Sequence, residues 1–149
     1  MSTDTAPTAS PAVTPQFDLA PVSVRVTISA LWTTMLFVFA YVDLFSFFRP
    51  DFRADVEAGV ISGFAVTQTF LLATTAYVVL PTLMIVGALV LRPRVNRVAN
   101  IALAVIYAVT IVGGAIGEWG YYVLGSAIEV ALLAAIVFYA WTWPKRIQG

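Results

Sequence analysis

GSAIEVALLAAIVFYAWTW, Gly125 to Trp143, carries one ionisable acid, Glu129, in a run of almost wholly apolar side chains. No basic residue lies within a helical turn of it. As a helix at 1.5 Å per residue, the run approaches the ~30 Å thickness of a hydrocarbon layer. The chain around it asks for the same solvent. Of 149 residues, 60% are hydrophobic and 11% charged, whereas a soluble domain carries about 25% charged residues. The excess apolar surface belongs in a bilayer.

Composition also removes whole classes of chemistry. The formal net charge is zero, so nothing electrostatic draws the chain to nucleic acid. Cysteine is absent, which removes disulfides, thiolate nucleophiles and iron–sulfur ligation. Histidine is absent too, and with it go His-ligated haem, most zinc sites and imidazole base catalysis. What remains is a few carboxylates, tyrosines and backbone groups. This points away from an enzyme, and neither a cofactor nor a metal is expected.

Four apolar segments follow one another, at about 24–48, 63–91, 98–117 and 119–143. Each is long enough to cross the membrane. Backbone groups in lipid must be satisfied within the segment, so each is read as a helix. The fold class is an all-α membrane protein, an antiparallel bundle of four transmembrane helices. Residues 1–22, rich in Pro, Thr, Ser and Ala, lack apolar periodicity and read as a disordered tail rather than a signal peptide. Residues 23–149 form the transmembrane domain.

Arg25, Arg92, Arg94, Arg97, Lys145 and Arg146 collect on one side of such a bundle. The other side has Arg49 and Arg53 among Asp51, Asp55, Glu57 and Glu118. The Lys/Arg bias places both termini in the cytoplasm of a cell whose inner membrane the chain crosses. Trp119, Tyr121 and Tyr122 fit an outer aromatic belt, and Tyr139, Trp141 and Trp143 an inner one, before Pro144 ends the last helix. In LRPRVNRVAN, Pro93 breaks one helix and Asn96 is placed to cap the next. In the first outer loop, Phe52, Val56 and Val60 recur every fourth residue, as in a short amphipathic helix at the membrane face; a plain solvated loop is the alternative. Gly113 with Gly117, and Ala127 with Ala131, are small-xxx-small pairs suited to close packing within the chain or between copies.

Glu129 lies about ten residues, ~15 Å, from Trp119, close to the midplane. An ionised carboxylate facing lipid there would cost about 2.5–3.5 kcal/mol or more, so Glu129 turns inward. Tyr107, Thr74 and Thr75 reach a similar depth on neighbouring spans and are its candidate partners. Two readings compete: interhelical glue, worth about 0.5–2 kcal/mol, or a proton carrier or ligand group in an internal cavity. Asp43 lies about five residues from the outer end of the first span, level with Gln68. It could bond to Gln68, pair with Arg49 or Arg53, or snorkel to water. Were Asp43 and Glu129 to line one cavity, they would form an outward-opening acidic vestibule. Pro81 deprives the Tyr77 carbonyl of its helical partner. Asn100, one turn inside the third span, is expected to bond to an adjacent helix.

DLFSFFRP, TQTFLL, NRVAN, IEV and YAWTWP, within about Ala30 to Pro144, resemble the pattern of a family of small uncharacterised bacterial four-span membrane proteins, loosely DoxX-like. Asp43, Gln68, Asn96, Arg97, Asn100 and Glu129 are the polar positions that match. The resemblance implies a four-span membrane fold and no settled activity. The leading functional expectation is a non-enzymatic accessory or structural component of the inner membrane, whose partners are the lipid bilayer and a second copy or another membrane protein. The alternatives are a small proton-coupled transporter or permease subunit using Glu129 and Asp43, and a quinone- or lipid-binding oxidoreductase subunit.

Overall fold

Helix starts set the layout of the chain. A computed structural model describes residues 22–143; most of the N-terminal tail, and Pro144, Lys145 and Arg146, lie outside the described residues. Ser23 accepts a hydrogen bond from the Val26 amide and opens α1 (Val24–Ser46). Pro50 and Pro93 stand in the first turn of α2 (Pro50–Glu57) and α4 (Pro93–Gly114), where a missing N–H deprives no carbonyl. Between α2 and α3 (Gln68–Val90) lies a two-stranded hairpin, β1 (Val60–Ile61) and β2 (Phe64–Ala65). Thr67 then accepts from the Phe70 amide at the start of α3, satisfying one of the amides that a helix start leaves open. Gly117, at φ 83°, turns the chain from α4 into α5 (Gly120–Trp141).

The fold is all-α apart from the hairpin. Among the described residues, α1, α3, α4 and α5 have 22 or 23 residues each and are apolar enough to cross a membrane. Leu72, Leu83, Val86, Val109 and Ile116 point outward with most of their surface uncovered. In water such faces would drive aggregation; in lipid they need no partner. The chain is a multi-pass membrane protein. α1 packs between α3 and α5, and α5 also packs on α4. α3 and α4, though consecutive, meet over a short stretch only.

Several boundaries differ from the sequence reading, each for a local reason. The second span begins at Gln68 rather than residue 63, because Gly59, Ser62 and Gly63 all take positive φ. Ser62 and Gly63 form a two-residue turn between the paired Ile61 and Phe64, with the backbone sign that type I′ hairpins require. The third span begins at Pro93 rather than 98. Arg92 holds the cap position, so Asn96 does not cap the helix; it lies one turn inside and is buried. In the first loop a helix forms as α2 and carries Phe52 and Val56, while Val60 falls beyond it in β1; Phe52 packs edge-on to Phe47 with ring centroids 5.3 Å apart.

The arginine-rich end of the bundle is densely packed. Ile28, Trp32 and Met35 of α1 meet Met84 and Ala88 of α3, Ala104 and Tyr107 of α4, and Leu133 and Ile136 of α5. A polar chain runs through this core. The Trp32 indole N–H donates to Asn100 Oδ1 at 2.7 Å, Asn100 Nδ2 donates to the Asn96 carbonyl at 2.8 Å, and Asn96 Nδ2 donates to the Ala88 carbonyl at 2.7 Å. Ala88 belongs to the last turn of α3, whose carbonyls lack helical partners. Leu91 supplies an amide to Gly87 and Arg25 a guanidinium N–H to Leu89. Beyond the ordinary helical bond that Leu91 gives Gly87, two open carbonyls, of Ala88 and Leu89, are therefore closed by side chains, as lipid surroundings demand.

The hairpin end is tied differently. Arg49 pairs with Asp51 at 2.7 Å and Glu118 at 2.5 Å, and stacks over Trp119. The hydrogen bond from Arg49 holds the Asp51 carboxyl below its ordinary range. Because the folded value is depressed, this contact persists above the usual carboxylate range and is lost only as pH falls through the lowered value.

Close helix approach falls at Gly125, not at Gly113 or Gly117. A Cβ on either of those would meet nothing within 4 Å, whereas one on Gly125 would collide with a Val42 methyl across the α1–α5 contact. Val42 is β-branched and cannot swing aside. Gly125→Ala is expected to destabilise the bundle by about 1–3 kcal/mol, read by denaturant unfolding in lipid, and adding Val42→Ala is expected to recover much of the loss.

Candidate functional site

At the hairpin end the four long helices do not fill the space between them. They leave a cavity of about 380 Å³. α1 contributes Phe39, Val42 and Asp43; α3 contributes Phe70 and Tyr77; α4 contributes Thr110, Ile111 and Gly114; α5 contributes Tyr122 and Glu129. Ile61, Ser62 and Phe64 of the hairpin complete the wall. The turn at Ser62 and Gly63 thus brings a loop over the space between helix ends.

Glu129 is 2% exposed. It is placed by the small face of α5, where Gly125 and Ser126 are also buried. Among the described residues no group is hydrogen-bonded to its carboxyl, and no fully enclosed side-chain oxygen lacks a partner. Its oxygens therefore meet the cavity rather than a sealed core. Asp43 stands nearer the end of α1, exposed and on the same cavity wall. Among the described residues no Lys or Arg lines the cavity. Arg49 is committed to Asp51 and Glu118, and Arg53 is exposed on α2.

The remaining residues singled out by sequence go elsewhere. Gln68 is the first residue of α3, exposed and outside the cavity wall, with no bond to Asp43. Thr74 and Thr75 are exposed and donate to the Phe70 and Leu71 carbonyls of their own helix, at 2.9 Å and 2.8 Å. Asn100 belongs to the packed end, bonded to Trp32 and Asn96. Tyr107 is buried, but its hydroxyl donates to the Tyr77 carbonyl and not to Glu129.

That bond accounts for Pro81. Proline has no N–H to give the carbonyl four residues earlier, and the carbonyl so freed is that of Tyr77. Tyr107 of α4 closes it from across the thin α3–α4 seam. The Tyr77 and Tyr107 rings lie 4.6 Å apart, Tyr77 Oη and Thr110 Oγ1 are 2.6 Å apart, and Trp32 meets Tyr107 edge-on. This aromatic and hydroxyl cluster separates the hollow end from the packed one. Sequence reasoning missed Tyr77 and Thr110 as wall residues, although Tyr77 stands four before Pro81 and Thr110 one turn after Tyr107.

Residues 22–148 match the model of DUF6326, a family of unknown function. The chain belongs to this family. No curated protein and no solved structure matches it. The DUF6326 match covers every element that builds the cavity.

Tyr107→Phe leaves the Tyr77 carbonyl unpaired in an apolar setting and is expected to cost about 1–2 kcal/mol. In a Pro81→Ala background the new amide can serve that carbonyl, and the same substitution is expected to cost much less. A double-mutant cycle by unfolding in lipid checks this, with non-additivity of about 1 kcal/mol as the expected result.

Proposed function

We propose that this protein is a small proton-coupled transporter, or the transporting subunit of a permease, with Asp43 and Glu129 as its working carboxylates. The observation that carries the reading is Glu129: almost wholly buried near mid-span, without a hydrogen-bond partner among the described residues, on the wall of a cavity shared with Asp43. Interhelical glue would need the bond that offsets the burial of a carboxyl group. A proton carrier needs space and access instead, and intramembrane acids that face such space are the ordinary relay groups of transporters.

The remaining expectations fit this frame as proposals. The Lys/Arg bias supports a topology with both ends in the cytoplasm of a bacterium, in which the cavity opens outward. Four spans rarely enclose a complete path for a solute, so the transporting unit includes a second copy or another membrane protein. An accessory or structural role would be served by a core packed along its whole length. An oxidoreductase subunit of the DoxX-like kind would be served by a dry groove shaped for a quinone or lipid. A cavity walled by two carboxylates supports transport better than either.

Carbodiimide labelling tests the reading, because the reagent adds to a protonated carboxyl group that it can reach in an apolar setting. Protein in native-like vesicles is expected to be labelled at Glu129, located by mass spectrometry, with the adduct lost in Glu129→Gln. A folded protein whose Glu129 does not react would return the residue to a packing role.

A further inference from the structure

The cavity wall selects by sign. Two carboxylates line it and no basic side chain among the described residues does, while the Arg49 guanidinium at the same end is held by Asp51 and Glu118. An anion would meet repulsion and no charged donor. A sugar or other strongly polar solute would find few partners, since the Thr110 hydroxyl is already bonded to Tyr77 and the other walls are mostly apolar. A bare divalent metal prefers six or more oxygen ligands, and the described residues hold no cluster of three His, Cys, Asp or Glu.

The aromatic complement supplies the rest. Phe39, Phe64, Phe70, Tyr77 and Tyr122 all border the space. Ring faces attract cations, most strongly where water is excluded. A volume of about 380 Å³ falls in the range of pockets that hold small organic molecules, far more than a proton or an inorganic ion needs. Glu129 is the second, independent observation: a carboxyl group more than nine-tenths buried, without a hydrogen-bond partner among the described residues, and aimed into this space.

We propose that the cavity binds a monovalent organic cation, an ammonium bearing apolar or aromatic groups, with Glu129 as its counter-ion and Asp43 as the acidic group nearer the mouth. This rests on the transporter reading and names its substrate class. The exchange balances in atoms and charge. The O–H bond of the neutral Glu129 acid breaks, its electron pair stays on the carboxylate, the ammonium takes the place of the proton, and the proton leaves toward the mouth. The titratable groups facing Glu129 across the cavity are Asp43 from α1, Tyr77 from α3 and Tyr122 from α5; α4 and the hairpin contribute only the hydroxyls of Thr110 and Ser62. One cation in and one proton out leaves the site's charge unchanged, which is the stoichiometry of an antiporter.

The test uses the full chain in lipid nanodiscs. Equilibrium dialysis measures binding of benzyltrimethylammonium, with benzyl alcohol as the neutral control and benzoate as the anionic one. Calorimetry in two buffers of different ionisation enthalpy counts protons. The cation is expected to bind at least about tenfold more tightly than benzyl alcohol, benzoate not to bind, and about one proton to be released per cation near neutral pH. Glu129→Gln is expected to lose tenfold or more in affinity together with the proton release. Glu129→Asp is expected to recover part of both, which separates charge from folding, and Thr75→Ala on the outer face of α3 to change neither. Benzyl alcohol binding as tightly as the cation, or Glu129→Gln binding unchanged, overturns the proposal. No cation binding by a protein whose Glu129 still reacts with carbodiimide removes the substrate class and leaves the transporter reading; loss of both removes both.

Discussion

Hydrocarbon offers no hydrogen bonds, so every polar group that a membrane bundle carries inward must find its partner inside the protein or in a water-filled space. At the arginine-rich end the protein solves this with bonds. Asn96, Asn100 and Trp32 form one buried chain between three helices, and Asn96 and Arg25 close carbonyls at the end of α3. At mid-span, Tyr107 closes the carbonyl that Pro81 leaves open. Beyond that level the pattern changes. Glu129 has no such bond among the described residues, and the helices stand apart around it. Set against the thorough pairing elsewhere, the buried acid left without a bond among the described residues marks where solvent or a ligand belongs.

The division between a packed end and a hollow end also explains the short α3–α4 contact. Where α3 leaves α4, the gap is crossed by Tyr77, Tyr107 and Thr110 rather than by interlocked aliphatic side chains. These groups lie between the cavity and the dense core. The same helices therefore hold a rigid base, built around Trp32, and an open upper half that the hairpin partly covers, where the Gly125–Val42 contact keeps α1 against α5. Burial against partners at one end and against space at the other gives the two carboxylates different settings on one wall. Asp43 is exposed near a helix end, and Glu129 lies deep.

Much of this was legible in the sequence. Length and hydropathy suffice for four helices, because an apolar run of this length in lipid has few other ways to satisfy its backbone. The inward turn of Glu129 follows from the cost of the alternative. Pro81 announced an open carbonyl at Tyr77, and only the identity of its partner was missing. What sequence could not supply was rotation about the helix axes. Thr74 and Thr75 share Glu129's depth but sit on an outward face of α3, and depth alone does not distinguish the two faces. Gln68 was level with Asp43 yet points away for the same reason. The hairpin was hidden because a two-residue strand has no period to read, although Gly59 and Gly63 bracket it. Asn96 looked like a cap because its neighbours are a turn; Pro93 had already started the helix three residues earlier.

The account turns on whether Glu129 faces a wet cavity or a dry core. Water-edited solid-state NMR of the protein in lipid, with its glutamate and asparagine side chains isotopically labelled, measures this directly. Polarisation from water is expected to reach the Glu129 carboxyl quickly and the Asn100 side-chain amide slowly. Equal, slow transfer to both would contradict it, since the acid would then be sealed in protein like the asparagine.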